Sequence, residues 1–564
     1  MLPRTALHRL RTRPEGEDGF ALLTTLLVMA VLAAFSLVAL QQTIGNTAAA
    51  RKDQDWVAAL GAAQAGVDDY VARLNDSNGG YYVHTTATPD PANPAMGYVS
   101  AGVPKWAPVP PAAAGEASRG SFHYDVDTTG YTGTPTTQPN GNIVVESTGR
   151  VGSRTRTVRA SVRRSGFVDY VYFTDLETQD PLEYPTTATP PALNRTQAAA
   201  GCTSYWGLRD ANCTNIAFNN DVMSGPVHSN DTMLVCSNVV FQDTVTTMSA
   251  PVAANGGKPY RSAPCTATTG TVFKRTDSPK TVKKVSLPST NLGLKAETGP
   301  AASPRGCLYV GPTKIVIKGS QIRVTSPWTK TVTPGCAKGT YFTIPANGVV
   351  YVDVVPAEGT SDVNSWGATE VGKPVCPASG NNVGYPIPTE TSWEYPCKAG
   401  DVFIEQEDGA VANALSSRLT VSANNSLYVT NHLDYAGGTP GGAFLGLIAE
   451  QFVYVWHPVS GSTNLALPGQ ATAFTDARIS AALLSVNHSV TVQSYATGDP
   501  LGTLNLTGAL TQKYRGIVRR NTSGYTKNYV YDERLAYDSP PRFLNPTISS
   551  FSAVRTQEQK PRFR

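Results

Sequence analysis

The longest uninterrupted apolar segment of the chain covers residues 20–40. It carries no charge, and Thr24, Thr25 and Ser36 are its only polar side chains. At ~1.5 Å of rise per residue, a helix of this length measures roughly 30 Å, which matches the hydrocarbon core of a bilayer. The segment is too long for the core of a signal peptide, and no small-residue cleavage site follows it directly. The pattern predicts a single membrane-spanning helix.

A helical pattern continues beyond residue 40 without a proline. Apolar side chains recur there mostly at steps of three and four, the spacing of one helix face; they are Ile44, Ala48, Trp56, Leu60, Ala63, Val67, Val71 and Leu74. We predict one helix over residues 20–76. Its first half would lie in the membrane, and its second half would be amphipathic.

Residues 1–19 form a hydrophilic leader with the basic side chains Arg4, His8, Arg9, Arg11 and Arg13. Basic flanks stay on the cytoplasmic side of a membrane, so the rest of the chain is expected outside. Two interpretations compete for the apolar segment: a plain membrane anchor, or a prepilin signal that is cut between Gly19 and Phe20. The order of the parts favours the prepilin signal: a short leader comes first, and a Gly-Phe junction, an apolar run and an unbroken helix follow it.

Two short stretches carry a resemblance to the type IV pilin superfamily, and within it to the PilX-like and GspK-like minor subunits: Gly19-Phe20-Ala21-Leu22-Leu23 and Ala63-Gln64-Ala65-Gly66-Val67-Asp68-Asp69. Pilins usually carry Glu at the fifth position after the cut, where this chain has Thr24. An unpaired carboxylate in lipid is costly, so its absence suits a minor subunit that starts or caps a filament. The resemblance implies cleavage by prepilin peptidase, assembly with other pilins, and passage from the cytoplasmic membrane into an extracellular filament.

The rest of the 564-residue chain reads as strands and turns. Charged residues make up 16%, and the 50 glycines and 41 prolines disfavour long helices. The fold class predicted is α+β. We assign residues 77–120 to a linker, residues 121–165 to a small antiparallel sheet of pilin type, residues 166–545 to an extracellular β-rich domain, and residues 546–564 to a basic tail.

A weak repeat indicates how the β-rich domain is built. Each repeat consists of a strand, a two-residue polar corner and a second, alternating strand. The repeats cover residues 418–429, 444–455 and 479–492. Asn at a corner tolerates the left-handed conformation that a sharp turn can need. The repeat predicts a β-solenoid (β-helix), interrupted by a cysteine-rich insertion at about 246–398. A jelly roll or a sandwich stays open as the alternative.

All eight cysteines lie beyond the apolar segment, and none lies in the leader: Cys202, Cys213, Cys236, Cys265, Cys307, Cys336, Cys376 and Cys397. An even number in the exported part indicates disulfides in an oxidising compartment. Our hypothesis pairs nearest neighbours, 202–213, 236–265, 307–336 and 376–397, because each bond then closes a short loop. Eight cysteines allow 105 pairings.

A second resemblance, to large β-rich PilX-like proteins of actinobacteria, covers most of the chain outside the linker and the insertion. It rests on residues 225–230, 400–405, 446–449, 456–459, 508–516 and 528–535. It implies a pilus-assembly or surface protein, and it supplies no catalytic residues.

Motifs of enzymes are absent from the sequence: it has no HExxH, no G-x-S-x-G and no phosphate-binding loop. The best acid–base candidates are His228 with Asp231 and His432 with Asp434. Both pairs fall at predicted corners, where polar residues are favoured anyway. We therefore predict that the chain is not an enzyme and needs no cofactor.

Two sets of acidic residues are candidates for a catalytic or a metal site. Asp401 and Glu405, four residues apart on one predicted strand, would serve a β-helical enzyme acting on polysaccharide, which is the enzyme alternative. Asp175, Glu177, Asp180 and Glu183 do not match a calcium loop. We expect no metal site.

From Lys513 onward the sequence has eleven basic and four acidic residues, a net charge of +7, interleaved with tyrosines. Such a segment could hold DNA or an anionic surface polymer, but we favour a packed closing segment followed by a solvated tail. The formal charge of the whole chain is only +4. The sequence thus predicts a minor pilin that displays a β-rich binding domain. The alternative is an uncut, single-pass adhesin or polysaccharide-acting enzyme.

Overall fold

The computed structural model describes residues 18–77, 79–111, 118, 120–132, 140–164, 166–265, 269–275, 279–377, 393–467, 472–546 and 551–563. Residues 1–17 of the predicted leader lie outside this set. The described residues form a mixed α+β structure with one long helix, a small antiparallel sheet and a large β-rich domain. Its α-helices are Asp18–Asp76, Arg195–Gly201 and Gly293–Ala296.

The long helix, Asp18–Asp76, begins within two residues of the predicted start and ends at the predicted residue. Its 59 residues give a length of about 90 Å. The first half is not covered by any other described part of the chain, and no residue of Leu22–Thr43 is buried. The second half buries one face, formed by Ala59, Ala63, Val67, Tyr70 and Leu74.

That buried face lies on the small sheet. Within the described residues the small sheet has five antiparallel strands, in the spatial order Ala107–Pro108, Ser121–Asp127, Ile143–Val151, Arg154–Arg164 and Phe551–Gln559. The alternating residues Phe122, Tyr124 and Val126 point into the core, as their spacing predicts. The small sheet predicted for residues 121–165 is therefore present, with an added strand at each edge.

The outer strand Phe551–Gln559 corrects the sequence interpretation, which made residues 546–564 a tail. This segment pairs with Arg154–Arg164 over its whole length. Its side chains are mostly exposed because it covers an edge of the small sheet, and a polar, exposed edge strand has little apolar signal in its sequence.

The segment between the long helix and the small sheet is not a linker, so that assignment was wrong. It forms the turns Gly80–Val83 and Pro94–Met96 and the strand pair Tyr98–Ser100 and Val103–Pro104. Ala95 and Met96 are buried in the core below the sheet. Proline-rich chain without periodicity also suits an irregular segment that packs by individual side chains.

The β-rich domain contains two sheets built mainly of parallel strands. Along the main path of the large parallel sheet, the described strands follow the spatial order Val272–Phe273, Val240–Phe241, Val222–Ser224, Ser523–Tyr531, Pro500–Tyr514, Arg478–Ser485, Phe444–Ala449, Arg418–Ala423, Val349–Asp353 and Cys307–Val310. Tyr172–Leu176, Val227–Ser229, Val245–Thr247 and Lys280–Thr281 join it laterally, also in parallel. Arg519–Arg520 pairs with it in antiparallel fashion.

The second parallel sheet lies beside the large one. Its described strands follow the order Tyr341–Thr343, Gln321–Thr325, Thr313–Lys318, Val402–Gln406, Leu427–Val429, Val453–Val455 and Val490–Val492. Pairing is parallel from Thr313–Lys318 onward. Two further strand pairs lie outside these sheets, Tyr131–Thr132 with Asn140–Gly141 and Val459–Ser460 with Thr463–Asn464.

Short polar corners connect the two parallel sheets, as the repeat predicts. The chain leaves Arg418–Ala423, turns at residues 424–426 and enters Leu427–Val429. The corner residues Asn424 and Asn425 do not adopt the left-handed conformation. Among the described asparagines it falls at Asn220 (φ 55°), Asn238 (φ 54°) and Asn521 (φ 54°). The corner side chains act by hydrogen bonding: the Asn425 amide donates to Asp401 at 2.7 Å.

The strands of the β-rich domain do not follow the order of the sequence. The domain begins in the middle of the spatial order, where Tyr172–Leu176 lies between Pro500–Tyr514 and Val227–Ser229. The chain runs to one end at Lys280–Thr281, returns along the domain, and restarts at the opposite end with Cys307–Val310. On the return it is held by Asn291, whose amide donates to the Ala423 carbonyl at 2.7 Å. The beginning and the end of the domain meet beside the small sheet, since Tyr531 donates to the Val168 carbonyl and Arg163 donates to the Leu535 carbonyl, both at 2.9 Å.

The cysteine-rich segment is not an insertion, which corrects the boundary at 246–398. Cys307–Val310, Thr313–Lys318 and Val349–Asp353 are members of the two parallel sheets. Cys307–Val310 and Thr313–Lys318 are separated by residues 311–312 alone, but the long intervals 319–348 and 354–401 follow them, so the repeat spacing is lost in the sequence although the pairing continues.

All eight cysteines are described, and they form the nearest-neighbour bonds Cys202–Cys213, Cys236–Cys265, Cys307–Cys336 and Cys376–Cys397. The pairing is the one that short loop closure favours. Each bond restricts a loop of the unfolded chain and stabilises the fold by about 2–4 kcal/mol.

Candidate functional site: the exposed helix and the predicted polar clusters

The exposed half of the long helix is the first candidate site. In the part of the chain that the structure describes, Leu22–Thr43 is the one helical segment long and apolar enough to cross a membrane. The predicted processing residues Gly19 and Phe20 lie in its first turns, and the Phe20 side chain is 73% exposed. The peptide bond between them lies in the helix, directly beyond the hydrophilic segment.

Polar side chains of this segment bond to the helix itself. The Thr24 hydroxyl donates to the Phe20 carbonyl at 3.0 Å, and the Ser36 hydroxyl donates to the Leu32 carbonyl at 2.8 Å. Back-bonding of this kind satisfies a hydroxyl without water, which is what a hydrocarbon environment requires. Thr24 thus fits an apolar environment where an ionised Glu would need a partner.

The second half of the long helix is fixed to the small sheet by polar as well as apolar contacts. Asp69 accepts from Arg73 at 2.8 Å and from the Tyr124 hydroxyl at 2.8 Å. Burial and the Asp69 charge raise the pKa of Tyr124, so its hydroxyl stays a donor. Asn93 donates to the same hydroxyl at 2.5 Å. The exposed half of the helix therefore projects from a rigid base.

The predicted acid–base pairs are not assembled. His228 contacts Thr246 and Asn230 at 2.9 and 3.0 Å, while Asp231 binds Arg209 at 2.6 Å. Burial lowers the pKa of His228, which favours a neutral structural imidazole.

The second candidate acid–base pair, His432 with Asp434, is also not assembled, because each side chain binds a different part of Arg478. Asp434 binds Arg478 at 3.0 Å, and the Arg478 backbone donates to the ring of His432 at 3.2 Å. Burial, and after it the Arg478 charge, lowers the pKa of His432. Each group thus holds a neighbouring segment in place.

Asp401 and Glu405 also serve the architecture. Asp401 lies directly before the strand Val402–Gln406 and not within it, and it accepts the Ser426 backbone N–H at 3.0 Å. Glu405 binds Lys314 on the adjacent strand at 2.8 Å. The two carboxylates therefore stabilise different neighbours.

The four acidic residues that were compared with a calcium loop are dispersed. Asp175 accepts from the Tyr205 hydroxyl at 2.9 Å, Glu177 binds Arg515 at 2.7 Å, and Asp180 contacts His488 at 2.9 Å. Within the described residues no three His, Cys, Asp or Glu side chains lie together as a metal site would need. Glu183, the fourth, lies in a cleft among aromatic rings.

Several basic residues of the C-terminal region form ion pairs, with Arg515 buried, Lys527 half-buried and Arg562 exposed. Arg515 binds Glu177 and lies over the Phe218 ring at 3.6 Å, and Lys527 lies 3.2 Å from Asp221. Arg562 binds Asp125 at 2.9 Å. This arrangement fits the packed closing segment better than a surface for nucleic acid.

The cleft around Glu183 was missed by the sequence interpretation. Its aromatic members come from places far apart in the chain: Trp393, Phe452, Tyr454 and Tyr495. The alternation of residues 452–456, in which aromatic and valine side chains take turns, is the signal that could have placed aromatic rings on an outer face.

No protein-family model matches the chain, and no curated protein is significantly similar to it. Among solved structures, the competence-associated pilin ComZ from Thermus thermophilus aligns at 11% identity over 90% of this chain and 97% of that chain, with a TM-score of 0.24. A TM-score this low does not establish a shared fold.

Proposed function

We propose that this chain is a pilin-like subunit, anchored by the exposed half of its long helix and displaying the β-rich domain outside the cell. One observation carries the proposal. A single continuous helix, Asp18–Asp76, is covered by an antiparallel sheet over its second half, and no other described part of the chain covers its apolar first half.

An uncovered apolar helix of this length needs an apolar environment. A bilayer supplies it before assembly, and the apolar helices of other pilins supply it within a filament. The resemblance at residues 19–23 supports a prepilin signal with cleavage before Phe20 by prepilin peptidase. Thr24, which bonds to its own helix, supports the role of a minor PilX-like or GspK-like subunit with a position at the start or tip of a filament.

The β-rich domain is proposed to be a β-solenoid. Its support is the parallel pairing of Arg418–Ala423 with Phe444–Ala449, and of Leu427–Val429 with Val453–Val455, across the same polar corner. Stacked coils of this kind present long lateral faces that suit adhesion at a cell surface. We propose a binding role and no enzymatic one, because the best acid–base candidates are held in structural contacts.

Fractionation of the native host cells tests this function. Filaments sheared from the surface should contain the protein in small amounts, and the membrane fraction should contain the rest. Gly19→Glu should block cleavage and keep the protein in the membrane fraction. Gly61→Ala, in the same helix with no atom within 4 Å of the added methyl group, is the matched control and should behave as wild type.

Retention of the wild-type protein in the membrane fraction under all conditions would support the alternative, an uncut membrane-anchored adhesin. Equal filament levels of the Gly19→Glu variant would contradict cleavage as the step that licenses assembly.

A further inference from the structure

A cleft of about 390 Å³ opens on the second parallel sheet beside the strands Val453–Val455 and Val490–Val492. The turn Pro181–Glu183 forms one wall, and the loop at residues 494–497 forms another. Its volume lies within the range of sites for small organic ligands.

Aromatic rings form the floor and one side of the cleft. Phe452 and Tyr454 are stacked, with ring centroids 5.0 Å apart, and Trp393 meets Tyr454 edge-on at 5.4 Å. Tyr454 continues a column of stacked rings through Tyr428, at 5.0 Å, to Phe403. Mutual packing fixes the orientation of these rings before any ligand arrives.

Glu183 supplies a polar group among these rings. Its Oε2 atom is buried and has no hydrogen-bond partner among the described residues. Burial raises the pKa of this carboxyl to about 8, and the nearby Asp180 charge acts in the same direction. The hydroxyl groups of Thr491 and Tyr495 act against both effects.

A half-buried acid with one buried, unpartnered oxygen calls for an explanation, because apolar side chains would fill the same space at lower cost. Asp180 does not supply the missing contact, since its carboxylate accepts from the Leu182 N–H and contacts His488. At neutral pH the Glu183 carboxyl is largely protonated, so it can both donate and accept a hydrogen bond.

We propose that this cleft binds a neutral glycan. The C–H face of a sugar ring fits the face of Trp393, which is half-buried and whose π cloud attracts positively polarised hydrogen. The sugar hydroxyl groups meet Glu183 together with the side chains of Ser494 and Thr497, which line the cleft.

Other ligand classes fit less well. Arg195 lies at the cleft and would repel a cation, and an uncharged carboxyl offers a cation no compensating charge. Nucleic acid would gain nothing from an acidic side chain. The inference goes beyond the proposed function, because glycan binding here does not depend on whether the chain enters a filament.

The test uses the full-length protein in an oligo-oxyethylene detergent, since a glycoside detergent would itself present sugar. The probes are cellohexaose, xylohexaose, mannohexaose and chitohexaose, titrated calorimetrically up to 5 mM. At least one should bind. Trp393→Ala and Glu183→Ala should weaken that binding by tenfold or more, and Trp206→Ala, at an exposed tryptophan outside the cleft, should leave it unchanged.

Two further measurements separate binding from loss of fold. Ala496→Trp adds a side chain at the exposed mouth of the cleft and should abolish binding without lowering the melting temperature. The affinity of the wild type should fall as pH rises above about 8, when the Glu183 carboxyl ionises. Glu183→Gln should show no such fall.

The charged and titratable groups around Glu183 are Asp180, Tyr454, Tyr495 and Arg195, with His488 beyond Asp180 and Arg520 beyond Tyr495. They are unchanged in Glu183→Gln, so the comparison isolates the Glu183 carboxyl. Absence of binding by every probe would overturn the proposal. So would wild-type affinity in Trp393→Ala, or binding of tetramethylammonium that strengthens above pH 8.

Discussion

The side-chain amide of Asn75 binds both backbone groups of Phe551, a residue 476 positions later in the chain. Asn75 donates to the Phe551 carbonyl at 3.1 Å and accepts from the Phe551 N–H at 2.6 Å. The last turn of the long helix is thus joined to the first residue of the outer strand Phe551–Gln559 of the small sheet. The two ends of the described chain belong to one small domain, and the whole β-rich domain is inserted between them.

Asn75→Ala should release the beginning of this outer strand. Both Phe551 backbone groups would lose their partner at the helix, which costs about 1–3 kcal/mol for part-buried groups. Hydrogen exchange should therefore accelerate over residues 551–559 and stay unchanged in the parallel sheets. Asn46→Ala, on the exposed part of the same helix, is the control. Unchanged exchange in the strand would show that this contact does not hold it.

Gly149 sets the distance between the long helix and the small sheet. A methyl group at this position would overlap the Ala59 carbonyl and the Ala63 N–H. Gly149→Ala should therefore lower the free energy of unfolding of this domain by about 1–3 kcal/mol, although alanine is ordinarily the better residue in a strand.

Gly61→Ala is the matched comparison, because this helical glycine has open space around it. It should raise stability by about 0.5–1 kcal/mol through helix propensity alone. Thermal unfolding of both variants measures the difference. A stabilised Gly149→Ala would contradict the close helix–sheet contact.

Glu183→Gln should stabilise the protein in a pH-dependent manner. The folded chain holds the Glu183 proton up to about pH 8, whereas the unfolded chain releases it near its ordinary pKa of 4.5. The wild type therefore loses stability as pH rises through this window, by at most about 1.4 kcal/mol per pH unit. Glutamine has no proton to lose.

The melting temperatures of the two proteins should agree near pH 4, separate from about pH 5 and stop diverging near pH 8. A constant difference across this range would mean that the carboxyl is not held protonated by the fold.

The disulfide bonds Cys236–Cys265 and Cys307–Cys336 both join residues 29 positions apart. Their effects on the unfolded chain should therefore be alike. Cys307 is fully buried in a strand of the large parallel sheet, whereas Cys236 and Cys265 are half-buried. Replacing Cys307 and Cys336 by alanine should therefore lower the melting temperature more than the same change at Cys236 and Cys265. Equal decreases in the melting temperature would mean that loop closure alone accounts for the stabilisation by these two bonds.

Local pattern predicted the elements whose partners are close in sequence. The three- and four-residue spacing of Ala63, Val67 and Leu74 predicted the long helix, and the alternation around Tyr124 predicted a strand. The polar corner before Leu427 was recognisable because strand, corner and strand follow each other directly.

Partners distant in sequence were not predictable in this way. Phe551–Gln559 pairs with Arg154–Arg164, a strand almost 400 residues earlier, and its polar sequence carries no pattern that indicates this partner. Cys307–Val310 belongs to the large parallel sheet, but residues 319–348 lie between Thr313–Lys318 and its partner strand Val349–Asp353 and interrupt the repeat. The cleft could not be predicted for the same reason, because Glu183, Trp393 and Tyr454 come together only after the sheets have formed.

The most direct test of the proposed function is the mass of the amino-terminal peptide of the protein recovered from the cell surface. We expect a mature chain that begins at Phe20 with a methylated amino group, in which the junction after Gly19 has been cut. Surface-exposed protein that still carries residues 1–19 would contradict it.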